Sequence, residues 1–449
     1  MREVLQRHLV QTGHTSPRVI ECTIANTRRR DGSRGTVEYE LHLEDPSGHL
    51  WTQRVTGITF GGDRTQRVWG TLRQATAYGA TKEQRNGLAS FGYVPELDLL
   101  LQVFPHDYRL PALAALMAGP PPELVPALLA DFGSDNWRLT EWSAEPVQYR
   151  VDMRAILRVS VRAKDDSGAA AERQFFAKIY RDADSCRRAF TAQRAVSERA
   201  EERGGTLAAA RPIAHLDTMR TLVIAALPGI SLSKIIRRGD GLIPAVQAAA
   251  RATAEFHQLA VAAPARPPAE EITRLREAEA FLVSERPDLA SDVSSIVQGV
   301  IDGLDGAPAA LIHGDLKPDH FLIAGDRVAL IDFDLIAIAD PVADVAHLIA
   351  FLAKPQERAR SRREHHDDAA ELFVEEYFAQ APPSWRDRLP IYHALTSIHK
   401  AVGLCRRRGA EGQERLEDVL REGQTLLGGG DASVPTFKRR MTRSVARVR

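Results

Sequence analysis

Six side chains in one stretch carry most of the chemistry this sequence offers. The segment LIHGDLKPDHFLIAGDRVALIDFDLIAIADPVADVAHLIAFL, residues 311–352, holds His313, Asp315, Lys317 and His320 ahead of two short apolar runs. Those runs, Phe321–Ile323 and Val328–Ile331, flank Gly325-Asp326, and Asp332 and Asp334 follow them. Two short apolar strands around a Gly-Asp turn read as a hairpin. A hairpin there brings Asp315 and Asp332 to one mouth, although 17 residues separate them. Two converging carboxylates suit a base that activates a hydroxyl and a ligand for Mg²⁺. Lysine adds a second pointer. Of 59 basic residues only eight are lysines (82, 164, 178, 234, 317, 354, 400 and 438), so positions that kept one, Lys178 and Lys317 among them, invite inspection.

The elements that must position these groups are legible around them. TVEYELHLED and HLWTQRVTGITF (36–60) alternate apolar and polar residues about Pro46-Ser47-Gly48, the pattern of a half-buried hairpin. AILRVSVRAKD, a DSG turn at 166–168 and RQFFAKIY repeat that form 120 residues later without a gap. Asp45 falls on Asp165, Ser47 on Ser167, Gly48 on Gly168, Leu41 on Val161, Val55 on Phe175 and Phe60 on Tyr180. Duplication of a hairpin unit and two unrelated hairpins with a common turn both fit this. Ile58 stands where the second copy has Lys178, so chemistry resting on that lysine exists once.

Between the copies, Gly119-Pro120-Pro121-Pro122 breaks helices on both sides and marks a joint. Helical periodicity begins near residue 186 and returns at 244–260, 269–304, 342–353, 366–380, 388–407 and 411–427. A short apolar strand, Thr221–Ala226, ends at Leu227-Pro228-Gly229. The chain has 449 residues, room for two to four domains, and is 44% hydrophobic and 26% charged, which excludes wholesale disorder. Lys plus Arg (59) equals Asp plus Glu (59), so no global field recruits nucleic acid or an anionic membrane. Cys22, Cys186 and Cys405 fit neither a disulfide framework nor a CxxC metal site. With no run of 18 apolar residues, the expectation is a cytoplasmic protein without membrane association.

HGDLKPDH followed by LIDFD resembles the catalytic and metal-binding segments of the protein-kinase-like superfamily. Its HGD form is similar to the aminoglycoside phosphotransferase and choline kinase branch. FAKIY resembles the strand with the ATP-positioning lysine, LVIAALPGISL the hinge, AEFHQL a helix with a Leu-His pair, and DPVADVAHL the start of the helix after the second Asp. These five motifs occur in family order across residues 175–348.

The resemblance implies an α+β, bilobal protein-kinase-like fold with a small β-rich N-lobe, a large helical C-lobe and an added N-terminal α+β cap domain. Its domains would be 1–140 (cap, or a degenerate N-lobe duplicate), 141–228 (N-lobe and hinge), 229–427 (C-lobe) and 428–449 (a disordered basic tail). It also implies ATP and Mg²⁺ as cofactors, with Mn²⁺ as an alternative, and a small-molecule hydroxyl (aminoglycoside, sugar or amino alcohol) as γ-phosphoryl acceptor. Asp315 would orient or accept the hydroxyl proton, Lys317 neutralise the γ-phosphoryl, and His313 brace the loop. Asp332 would hold Mg²⁺, and Lys178 would pair with the α/β-phosphates, next to hinge residues Ala225 and Leu227. Three departures stand out. No glycine-rich loop precedes Lys178, so phosphate cover falls to the Arg150–Arg154 turn, by its backbone amides or by those two guanidiniums. The partner for Lys178 is open between Glu198 and Gln193. His320 replaces the family asparagine of the second metal site, and either abandons that metal or ligates it through nitrogen. A catalytically dead nucleotide-binding pseudokinase and a Ser/Thr protein kinase are the competing readings. The latter has against it HGD, DFD and the short stretch from Asp332 to the next helix.

Overall fold

A computed structural model describes residues 1–10, 16–30, 34–77, 87–133, 136–352, 363–406 and 410–428. The tail expected from residue 428 lies, but for that residue, outside them. The chain divides into two compact units, residues 1–188 with 212–226, and residues 189–211 with 227–449.

The first unit is built on two five-stranded antiparallel sheets. One contains β1 (Arg18–Arg30), β2 (Arg34–Glu44), β3 (Leu50–Thr59), β4 (Phe91–Val94) and β5 (Leu99–Val103), in the order β1-β2-β3-β5-β4. Helix α1 (Arg2–Leu9) closes its core with Leu5 and Leu9, and α2 (Arg64–Ala77) links β3 to β4. The other contains β6 (Arg138–Arg150), β7 (Arg154–Lys164), β8 (Ala170–Tyr180), β10 (Pro212–Leu216) and β11 (Thr221–Ala225), in the order β6-β7-β8-β11-β10.

The two sheets share strand order, and β1 and β2 match β6 and β7 at both ends at an offset of 120 residues. Their turns match atom for atom. Asp45 accepts from Ser47 N (2.8 Å), Ser47 Oγ (2.6 Å) and His49 N (2.9 Å), and Asp165 accepts from Ser167 N, Ser167 Oγ and Ala169 N at 2.9, 2.6 and 2.9 Å. Ile58 lies opposite Leu100 as Lys178 lies opposite Leu222.

Period-two burial puts Ala155, Leu157, Val159, Val161, Phe175, Ala177 and Ile179 on one face of the second sheet. That face is covered by α3 (Ala112–Ala118) and α4 (Val125–Ala130), through Leu113, Leu116 and Leu128. The helices on either side of the Gly119–Pro122 run thus pack on one sheet. Lys178 is on the opposite face with its pairing neighbours Ile156 and Leu222.

The second unit is mainly helical and takes in most of α5 (Ala183–Arg203). After it come β9 (Leu207–Ala209), β12 (Ile230–Ser231), α6 (Leu232–Arg238) and α7 (Leu242–His257). Helix α7 is buried nearly all round, from Ala245 to His257, as expected for an alanine-rich helix that others pack against. The helical pattern over 269–304 resolves into α8 (Pro268–Glu285) and α9 (Ala290–Gly303). Between them Pro287 opens a 3₁₀ turn, because its ring removes the N–H a continuing helix needs. Four short strands follow: β13 (Ala310–Ile312), β14 (Phe321–Ala324), β15 (Arg327–Leu330) and β16 (Ala337–Ala339). β14 and β15 form the expected hairpin, extended by β12 and by parallel β9, while β13 pairs with β16. The chain closes with α10 (Val342–Leu352), α11 (Arg363–Phe378), α12 (Leu389–Arg406) and α13 (Ala410–Leu427). Among the described residues no helix is long and apolar enough to cross a membrane.

Candidate active site

The loop from β13 to β14 carries His313, Asp315, Lys317 and His320, and β15 leads into Asp332. Asp344, near the start of α10, holds this loop in place. It is buried, and its carboxylate accepts His313 N at 2.5 Å, Gly314 N at 3.0 Å and His257 Nε2 at 3.2 Å. Burial alone would raise its pKa. The hydrogen bond and charge of His257 outweigh that and lower it, so the anchor stays ionised. Asp340 starts the same helix by accepting Val342 N at 3.0 Å, and Arg388 pins its other oxygen. Glycine is required at position 314: φ is +77°, and a Cβ there would lie 2.5 Å from Leu335 O.

His313 is fully buried. Its Nε2 donates to Ile331 O at 3.0 Å, tying the β13–β14 loop to the strand end before Asp332. His320 stacks on it with ring centroids 5.2 Å apart. Burial and the neighbouring His313 push His320 down to about 4, so it is a neutral imidazole at pH 7. Its Nε2 lies 3.6 Å from Asp332 Oδ2, and Asp332 sits in left-handed backbone (φ 72°) directly after the hairpin. Asp315 Oδ2 accepts Lys317 Nζ at 2.7 Å, and Oδ1 lies 3.7 Å from His347 Nε2. Burial works against ionisation of Asp315, but the neighbouring His347 and the hydrogen bond and charge of Lys317 hold it well below the usual carboxylate range.

The structure therefore brings His313, Asp315, Lys317, His320 and Asp332 together in the second unit, where Leu227 also opens the chain after Ala226. Lys178, Arg150, Arg154 and Ala225 are carried by the second sheet of the first unit. Lys178 is buried there, Arg154 starts β7 and donates to Gln148 at 3.3 Å, and Ala225 ends β11 opposite Phe175. Of the two candidates for the Lys178 partner, Glu198 is exposed, and Gln193 donates to Ala210 O at 2.7 Å.

One imidazole and one carboxylate meet at the hairpin mouth. No group of three metal-ligating side chains forms among the described residues. That donor set does not cage an ion by itself. It fits a divalent ion that arrives with phosphate oxygens and water as its other ligands, and the imidazole nitrogen suits Mn²⁺ better than Mg²⁺. Sequence reasoning missed His347 and the anchoring role of Asp344, although both stand in the DPVADVAHL string. At the described end of α11, Glu375 pairs with Arg386 and Glu376 with Arg251.

A sequence profile described as the phosphotransferase enzyme family, APH, matches residues 158–387. The chain belongs to this family. As an APH-family phosphotransferase it has the protein-kinase-like α+β fold, preceded by the additional N-terminal sheet. A search of curated proteins finds no match. Solved structures similar to it include a choline kinase from Cryptosporidium parvum Iowa II, 12% identical, TM-score 0.43, covering 66% of this chain and 93% of that one. A choline/ethanolamine kinase family protein from Mesorhizobium loti is 15% identical, TM-score 0.42, covering 73% and 97%. An ADP-bound aminoglycoside phosphotransferase is 13% identical, TM-score 0.37, covering 68% and 99%.

Proposed function

We propose that this phosphotransferase moves the γ-phosphoryl of ATP to a hydroxyl of a small molecule. The observation that carries this reading is the placement of Asp315. Its carboxylate accepts Lys317 Nζ at 2.7 Å, a contact that favours the ionised form, on a loop fixed by Asp344 and braced by His313. So weak a base does not strip a proton from a resting alcohol. It accepts the hydroxyl hydrogen bond, aligns the oxygen on phosphorus, and receives the proton as the bond to the ADP leaving group breaks. Lys317 supplies positive charge beside the transferring group. Asp332 and neutral His320 would hold a metal ion, which would supply positive charge to the transferring phosphate. Lys178 would meet the α/β-phosphates, and Ala225 and Leu227 the base. The Arg150–Arg154 turn would cover the phosphates.

A protein-kinase reading finds no support in the stretch after Asp332. Only a 3₁₀ turn (Phe333–Leu335) and β16 precede α10, which leaves no activation loop. A coupled ADP-release screen of aminoglycosides, sugars and amino alcohols tests the proposal. Acceptor-dependent ADP release is expected, and Asp315→Asn should abolish it while ATP still binds. Asp332→Asn should instead weaken the binding of Mg-nucleotide. Full turnover in Asp315→Asn would overturn the assignment.

A further inference from the structure

In the proposed ATP site the turn between β6 and β7 would cover phosphate without a glycine, and the first unit shows how that turn is held. Asp152 at the tip is fully buried and sits at φ 60°, a left-handed conformation in which glycine is the ordinary choice. Its side chain and backbone are both tied down. The carboxylate accepts the Arg34 guanidinium from the start of β2. Its N–H donates to Asp107 Oδ2 at 2.9 Å, and Tyr149 Oη, from the end of β6, donates to the same oxygen at 2.9 Å. Asp107 is itself buried, and its other oxygen accepts Arg109 N at 2.8 Å and Leu110 N at 3.2 Å.

Apolar contact completes the grip. Val151 packs on the cluster of Ile58, Phe60 and Leu100, and Arg34 lies 5.3 Å over the Phe60 ring. Ile58 is the counterpart of Lys178 at the 120-residue offset. Where the second sheet presents its lysine, the first presents an apolar seat for the second sheet's turn.

We propose that the N-terminal sheet is the positioning scaffold of the nucleotide site, with Arg34 and Asp107 clamping Asp152 so that the Arg150–Arg154 turn stays folded over the phosphates. The glycine-rich loop is replaced by a loop stapled from outside, and Arg34 is a positioning residue that touches no substrate. This inference rests on the proposed ATP site. The arrangement also explains why residues 1–133 and the second sheet fall into one compact unit.

The test uses the full chain and compares wild type with Arg34→Ala and Arg34→Lys. It measures ATP affinity by calorimetry, the KM for ATP and for an acceptor, and amide exchange at Met153 and Arg154. Arg34→Ala should weaken ATP binding and raise its KM about tenfold or more, with the acceptor KM unchanged and exchange in the turn faster. Arg34→Lys should recover part of the loss, and it decides the matter if the alanine variant does not fold. If wild type binds ATP and both variants bind it equally with unaltered exchange, the clamp is refuted while the active-site reading stands. If wild type binds no ATP, that reading fails and takes this inference with it.

Discussion

Replacing Asp344 with asparagine tests whether one buried carboxylate holds the loop that carries Asp315. The native side chain takes three donors: His313 N and His257 Nε2 on Oδ2, and Gly314 N on Oδ1. Asparagine keeps one oxygen and presents an NH₂ in place of the other. If the amide nitrogen faces Gly314, that backbone N–H loses its acceptor. If it faces His313, that N–H is stranded instead. Either way one buried backbone donor goes unpaired, at about 1–3 kcal/mol, and the surviving bonds lose their charge assistance. A total of about 3 kcal/mol is expected, lowering Tm by roughly 6–12 °C. Turnover should fall by about 100-fold, because Gly314 and Asp315 shift together. Calorimetric unfolding and the ADP assay on the same preparation measure both effects. An Asp344→Asn protein with unchanged Tm and turnover would show that the loop is held by something else.

Gly314→Ala should be as damaging with no change of charge, since its Cβ meets Leu335 O at 2.5 Å; a turnover within twofold (~2-fold) of wild type would contradict the close approach. His320→Asn should shift metal preference from Mn²⁺ toward Mg²⁺, because an oxygen replaces an imidazole nitrogen beside Asp332. An unchanged Mn/Mg rate ratio, with His320→Ala equally silent, would remove His320 from the metal site. His393, half-buried on α12, is pushed down to about 4 by burial and by Lys400. Its unfolded form takes up a proton near pH 6.5 and its folded form does not, so the stability it contributes is present above that pH and lost as pH falls toward 4. The loss amounts to up to about 3 kcal/mol. Equilibrium denaturation of His393→Gln against wild type at pH 7 and pH 5 should show a smaller acid loss in the variant. Equal losses would contradict the assignment.

The β14–β15 hairpin was legible because its information is local: apolar runs of strand length, a Gly-Asp turn, and charged residues crowded at one end. The 120-residue repeat was legible at the Asp-x-Ser-Gly turns for the same reason. Strands β1 and β6 were missed. They lie at sheet edges, largely exposed, and register shifts at Val19/Glu21 and Leu139/Glu141 break their alternation. The break between α8 and α9 was written in Pro287 and was passed over for the longer period. The Arg34–Asp152 pair could not be read from sequence, since 118 residues separate two charges that each resemble a surface residue. Asp344 and His347 were visible as letters, but their roles depend on α10 lying against the catalytic loop.

Two sheets with one strand order, one hairpin register and matching turns pose a problem for the chain while it folds. The β2–β3 hairpin and the β7–β8 hairpin offer nearly interchangeable backbones to β5 and β11. Strand exchange between them, within a chain or between chains, is the characteristic error of such repeats. Only side chains distinguish the partners: Ile58 on β3 opposite Leu100, and Lys178 on β8 opposite Leu222. The lysine proposed for the second sheet's chemistry is thus also one of the side chains that tell the two sheets apart, because seating β8 against β5 would put Lys178 in the place of Ile58 beside Phe60, Leu100 and Val151.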